Sequence, residues 1–198
     1  MKALILGVLL LVNSSIINPH TSVKTSKIVS LDVNKTESKI TWHAEKPTGT
    51  HDGSIDVYWG KLNIRDKRLV GGFILIDMQS IKVTDLTSPD KEKLESNLKG
   101  DNFFDAGRFT VARFDITNII YVCPQNPGKV IIEGNLNMHG VTKKIEFKTG
   151  IQKNTGSEFV AVADAEINRR DWNIATGNFK YNTFISPIIK LHIVLEAA

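Results

Sequence analysis

The sequence predicts an all-β fold, about eight one-sided strands with a single short α-helix set between two of them, and three observations carry that expectation. Apolar and polar residues alternate in segment after segment from Ser38 to Glu196, which is the period of a half-buried strand. Only residues 89–99 carry both start and stop signals for a helix. No repeat, linker or low-complexity segment divides the chain. Strands that are apolar on one face, with almost no helix to cover them, must close on themselves as a barrel or pair as a sandwich.

At the N-terminus Lys2 precedes an uninterrupted apolar run, residues 3–12, and the small polar residues Asn13, Ser14 and Ser15 follow. That run is too short to span a bilayer and has the form of a secretory signal peptide. Residues 1–15 are therefore read as a leader cleaved near Ser14 or Ser15, with an uncleaved membrane anchor as the competing reading, and the protein is expected to be periplasmic or secreted. Residues 16–37 are polar and irregular and read as an exposed lead; the folded domain is expected over residues 38–198.

The first expected strand carries Ile40, Trp42 and Ala44 on one face and Lys39, Thr41 and His43 on the other. Across the turn at 46–49, residues 54–64 alternate again. There Ile55, Val57 and Trp59 share a face, and Gly60 permits a bulge before Leu62 and Ile64. Gly71-Gly72 introduces residues 73–78, whose β-branched and aromatic side chains suit a strand. Both of its faces are apolar, so periodicity leaves open whether Phe73 and Leu75 or Ile74, Ile76 and Met78 point inward. A covering helix would account for the second face. That helix has Ser88 as its expected N-cap, Pro89 at its first position, Asp90 and Glu92 in its first turn, and Lys99-Gly100 at its stop. Leu94 and Leu98 are its few apolar residues, an i, i+4 pair, so it reads as a lid or plug.

Beyond the paired aromatics Phe103 and Phe104, alternation returns with Ala112, Phe114 and Ile116. Val130, Ile132, Leu136 and Met138 form the next stripe, and the His139-Gly140 turn leads into Ile145 and Phe147, which reads as a hairpin. Phe159, Ala161, Ala163, Ala165 and Ile167 follow, and Ile189, Leu191, Ile193 and Leu195 form the last strand. The three inward alanines leave room, which tilts an eight-stranded barrel toward a cavity. The competing reading is that Trp42, Trp59 and the inward phenylalanines fill that space.

Composition narrows the function. With 41% hydrophobic and 23% charged residues the chain is an ordinary globular domain, and its net charge of +4, spread along the sequence, gives little support to nucleic-acid binding. Cys123 is the sole cysteine, which excludes an internal disulfide and any two-cysteine metal motif. The five histidines, His20, His43, His51, His139 and His192, are dispersed without metal-ligand spacing, and no cofactor is expected. His51-Asp52 beside Gly53, with Asp77 and Asp85 flanking the central strand's end, invites a general-acid or metal-binding reading. A turn aspartate and a hydrogen-bonded loop histidine are the favoured account, because no second histidine sits at metal-ligand spacing, and no nucleophile motif or phosphate-cradling loop is present. No enzyme is expected from these residues, and a barrel that binds a small ligand in its interior is one reading of the rest. An envelope interaction module using Phe73 and Leu75 is the alternative, with a small-molecule enzyme built on His51 and Asp52 behind it.

Four segments in order carry a resemblance: GTHDGSIDVYWGKL (49–62), GGFILIDMQSI (71–81), KLESNLKGDNFFDAGRFTVARFDI (93–116) and EGNLNMHGVTKKIEF (133–147). Together they resemble the successive motifs of the YceI-like family of polyisoprenoid-binding proteins, over about residues 38–195. Asn168-Arg169 stands where the family has Asp-Arg, Trp172 follows as the aromatic, and Phe109-Thr110 replaces an aromatic-proline pair. The resemblance implies an eight-stranded antiparallel lipocalin-like barrel whose apolar channel holds a polyisoprenoid or isoprenoid quinone, with transient membrane contact for lipid exchange. It also implies that Ile74, Ile76 and Met78 face in. Lipid contacts are then expected from Trp42, Val57, Trp59, Ile74 and Ile76, from Phe103 and Phe104, and from Phe114, Ile132, Leu136 and Phe147. Ala163, Ala165, Ile167, Leu191 and Ile193 complete the expected wall. Strands of about ten residues tilted near 40° imply a channel of about 25 Å, with residues 84–104 controlling access.

Overall fold

In the computed structural model, which describes residues 26–47, 49–123, 125–174 and 186–198, the alternating segments form nine antiparallel strands. These are β1 (Val29–Asp32), β2 (Lys39–Lys46), β3 (Gly49–Arg65), β4 (Arg68–Val83), β5 (Val111–Cys123), β6 (Asn126–Met138), β7 (Val141–Asn154), β8 (Phe159–Asn168) and β9 (Ile188–Ala197). One helix, α1 (Asp90–Lys99), and a 3-10 turn, Arg169–Trp172, are the helical elements among the described residues. The expected leader and its cleavage site lie outside them.

Strands β2 to β9 each pair with their sequence neighbours where hairpins join them, and β2 also pairs with β9, so the eight close into a barrel. The ninth strand completes the seam. β1 pairs with residues 61–64 of β3, whereas β2 pairs with residues 49–55, and Val33 bridges Ala197 where β2 has already left β9. β1 and β2 are thus one barrel strand broken by a turn at 34–37, in which Asn34 Oδ1 accepts the backbone N–H groups of Thr36 (3.1 Å) and Glu37 (3.4 Å). This corrects the expected exposed lead over 16–37: from Val29 onward the chain belongs to the barrel, and Leu31 and Val33 are buried. Four residues are too few for alternation to register.

Two hairpins turn on pairs with positive φ at both central residues, Asp66-Lys67 (51° and 57°) and His139-Gly140 (52° and 75°), the pattern whose twist matches the flanking strands. A register shift between Val57 and Trp59 puts Tyr58 and Trp59 both outside, 58% and 42% exposed, before Gly60, Leu62 and Ile64 resume the inner face. The bulge therefore precedes Gly60, and Trp59 is corrected from an inner to an outer residue. There its ring meets the Phe73 ring edge-on at 5.2 Å, and Arg113 sits over Phe73 at 4.5 Å. Ile74 and Met78 are buried inside, as the resemblance implies. The helix does not cover Phe73 and Leu75, because it packs on β4 with Leu94 and Leu98 facing a cavity at the barrel's end. Its start also shifts by one residue: Pro89 is the cap position, and the Ser88 hydroxyl donates to Glu92 Oε1 (2.7 Å) instead of capping backbone.

The two ends of the barrel differ. At the end carrying the Asp66-Lys67 turn, Leu62, Ile64, Leu69, Val130 and Phe159 are at most 2% exposed. Tyr121 Oη donates to Leu69 O (3.0 Å) and Asn154 Nδ2 to Lys67 O (2.9 Å), closing that end. Above this plug the rings of Phe114 and Phe147 lie 5.5 Å apart. Phe114 rests directly on Gly134, where any Cβ would collide with the ring and with Asp115 O. Gly134→Ala should therefore cost about 1–3 kcal/mol by overpacking, read as a lower denaturation midpoint; an unchanged midpoint would show that the Phe114 ring has room to move.

Candidate functional site

The opposite end holds a cavity of about 580 Å³. Its wall is built by inward positions of the strands: Ile40, Trp42 and Ala44 of β2, Ile55 of β3, Ile76, Met78 and Ile81 of β4, Leu136 and Met138 of β6, and Ile189 and Leu191 of β9. Leu94 and Leu98 of α1, with Phe103 and Phe104 beyond it, form the roof. From Ile40 to Lys46 the β2 wall rises ~20 Å along the strand, which at a barrel tilt near 40° gives a depth of about 15 Å. The expected full-length channel is thus corrected to a pocket in the open half, because the Phe114 and Phe147 rings and the plug beneath them fill the rest.

Of the residues expected to contact lipid, Trp42, Ile76, Phe103, Phe104, Leu136, Ile167 and Leu191 line this cavity. Val57, Ile74, Phe114 and Ile132 are buried in the core below or beside it, and Phe147 packs on Phe114. Ala163 and Ala165 lie buried on the inner face but outside the cavity lining, paired with Ile193 and Leu191 across the ladder. Their small side chains offset large neighbours rather than opening space. Trp59, outside the barrel, does not reach the cavity.

A polar rim surrounds the mouth, and its geometry assigns protons. Lys46 Nζ approaches His51 Nε2 at 2.6 Å, and His51 Nδ1 approaches Asp85 Oδ2 at 2.8 Å. An ammonium can only donate, so Nε2 is the acceptor and the imidazole is neutral with its proton on Nδ1. Burial pushes the Asp85 carboxyl up, but hydrogen bonds from His51 and from the Asp52 and Asp85 backbone outweigh it and hold the group below the ordinary carboxylate range. Asp52 is engaged elsewhere, with its Oδ1 2.7 Å from His43 Nδ1. Of the two accounts of His51, the hydrogen-bonded loop histidine is the one this geometry matches, with Asp85 rather than the adjacent Asp52 as its carboxylate partner and both ring nitrogens engaged.

Arg169 was visible in the sequence only as half of a dipeptide, and the structure gives it a place. It is fully buried and lines the cavity. Its Nη1 donates to Ile174 O (3.0 Å) and its Nε to Ser186 O (3.4 Å), and the guanidinium lies 5.4 Å from the Phe103 ring centroid. Burial, with Arg170 nearby, holds its pKa below that of an ordinary arginine. Beside it Trp172 Nε1 donates to Leu136 O (3.1 Å), fixing the 3-10 turn to β6. The roof is held less firmly. No residue of α1 is buried; Glu95 Oε1 accepts the Val83 N–H (2.8 Å), and the Phe103 and Phe104 rings meet edge-on at 5.0 Å.

These contacts generate two expectations. Phe104→Ala should raise hydrogen exchange over residues 84–104 more than over residues 130–148; uniform exchange across both would show the roof to be a fixed wall. A carboxylate with a lowered folded pKa contributes stability above the ordinary range and loses it as pH falls through the lowered value. Acidification below about pH 4 should therefore lower the melting temperature less in Asp85→Asn than in the parent protein.

Comparison with known proteins places this architecture. The profile of the YceI-like domain matches residues 31–197. A UPF0312 protein of Vibrio campbellii is 27% identical over 95 residues, 47% of this chain and 46% of that protein, so the match spans about half the length of this curated relative. Among solved structures, BcnA of Burkholderia cenocepacia superposes with a TM-score of 0.69 at 18% identity, over 84% of this chain and 99% of that one. A polyisoprenoid binding domain from Saccharophagus degradans, implicated in plant cell wall breakdown, superposes with a TM-score of 0.62 at 16% identity, over 86% and 98%. At such identities the likeness shows a shared fold.

Proposed function

The chain belongs to the YceI-like domain family, and on that premise we propose that it is an exported carrier holding one long-chain lipid, a polyisoprenoid or isoprenoid quinone, in the open half of its barrel. The observation that carries this reading is the apolar cavity of about 580 Å³ under a lightly held roof. That volume lies within the roughly 300–1,000 Å³ typical of sites that bury a small organic ligand. Each methylene drawn from water into it contributes about 0.8 kcal/mol, so affinity grows with the length of chain that fits. About 15 Å of depth admits the leading part of a long chain, and the remainder must fold back or pass under the roof. The Lys2-led apolar run at residues 3–12 supports export, and a carrier that loads from a bilayer touches it transiently at the cavity mouth.

A second reading, an envelope interaction module, draws on the outer Trp59-Phe73 pair. Native mass spectrometry before and after organic extraction separates the two. The carrier should show a lipid mass shift that extraction removes, whereas a protein that takes up no isoprenoid, quinone or fatty acid is not a carrier. Ala44→Phe, which places a ring in the cavity from its β2 wall, should weaken uptake at least tenfold while leaving the circular dichroism of the barrel in place.

A further inference from the structure

Four charged residues line the cavity among the described ones: Glu45, Lys46, Asp101 and Arg169. One acid is spent on a base and the other is turned to water. Glu45 Oε1 pairs with Lys190 Nζ at 2.8 Å, an ion pair on the outer side of β2, and Asp101 is exposed on the loop after α1. The two bases are placed differently. Lys46 is half-buried and pairs with no carboxylate among the described residues; its ammonium meets the neutral Nε2 of His51, which uses one of its three protons. Arg169, fully buried, is held by the carbonyls of Ile174 and Ser186. Ser186 in turn donates its N–H to Glu45 O (2.9 Å), next in sequence to Lys46, so both bases stand on one arc of the mouth.

We infer that the ligand's head is an anionic oxygen group, a carboxylate or a phosphate, received at this arc by Lys46 with the Arg169 guanidinium behind it. The inference rests on the carrier reading above and adds the head to it. A neutral head would leave the ammonium's remaining protons to the water at the mouth, with no gain from the ligand. An anionic head meets them with charge-assisted hydrogen bonds, which are shorter and stronger than neutral ones, in a mouth where low polarity strengthens the attraction. His51, fixed by Asp85, holds the ammonium in place without neutralising it.

Three probes with one chain and different heads test this: hexadecanol, hexadecanoate and hexadecyl phosphate, each displacing the neutral dye N-phenyl-1-naphthylamine from the full-length protein. Both acids should displace it at concentrations at least tenfold lower than the alcohol, the gap should narrow as salt rises, and the tighter acid identifies the head as carboxylate or phosphate. Lys46→Gln should shrink the acid-to-alcohol ratio at least threefold, and Lys46→Arg should restore it. Equal displacement by all three probes overturns the head assignment and leaves the carrier standing, as does a ratio that survives Lys46→Gln. Displacement by none of them overturns the carrier reading and this inference together.

Discussion

Closure of the hydrogen-bonded ring is the constraint on which the rest of this structure depends. A sheet closes only when every strand finds partners on both sides, and the strand at the seam is in two pieces. β1 serves the plugged half and β2 the open half, and the break between them is stitched by Ser38, which accepts the Glu196 N–H (3.0 Å) and donates to Glu196 O (3.3 Å). The division at the seam coincides with the division inside. Leu31 and Val33, delivered by the first piece, join the plug with Leu62 and Phe159; Trp42 and Ala44, delivered by the second, face the cavity. Filling one half densely gives the barrel a core, which frees the other half from having to be one.

Much of the fold was legible because period two survives in every long strand, and the hairpin at His139-Gly140 sat where its turn residues announced it. What escaped did so for identifiable reasons. β1 is too short to show a period. The bulge at Tyr58 moves the inner face of β3 from odd to even positions, and the glycine that flags it follows rather than occupies it, which is why Trp59 read as inward. Ala163 and Ala165 read as empty space because a single strand shows its own side chains and not the Leu191 and Ile193 that stand beside them.

The site was half legible. Of the inward apolar residues near the open end, Trp42 and Leu136 follow from alternation and Ile76 from the family resemblance, but nothing in alternation says at which height a barrel stops being full. Asp85 lies 34 residues from His51 and Arg169 17 residues from Ser186; such partners meet through closure of the sheet, and the sequence around each one carries no sign of the other. The polar rim is therefore the part of the molecule that needed three dimensions most. It is also where the charges divide, Glu45 answered by Lys190 on the outer side and the two bases Lys46 and Arg169 set at the cavity.

The three tryptophans occupy three surroundings: Trp42 in the cavity wall, Trp59 on the outer surface at 42% exposure, and Trp172 buried at 1%. Their emission divides accordingly. Trp59 reports solvent and its quenchers, Trp172 the dry packing beneath β6, and Trp42 whatever occupies the pocket. With Trp59 and Trp172 replaced by phenylalanine, the remaining indole is a built-in optical gauge of filling, and the protein's loading can be followed by fluorescence without any label.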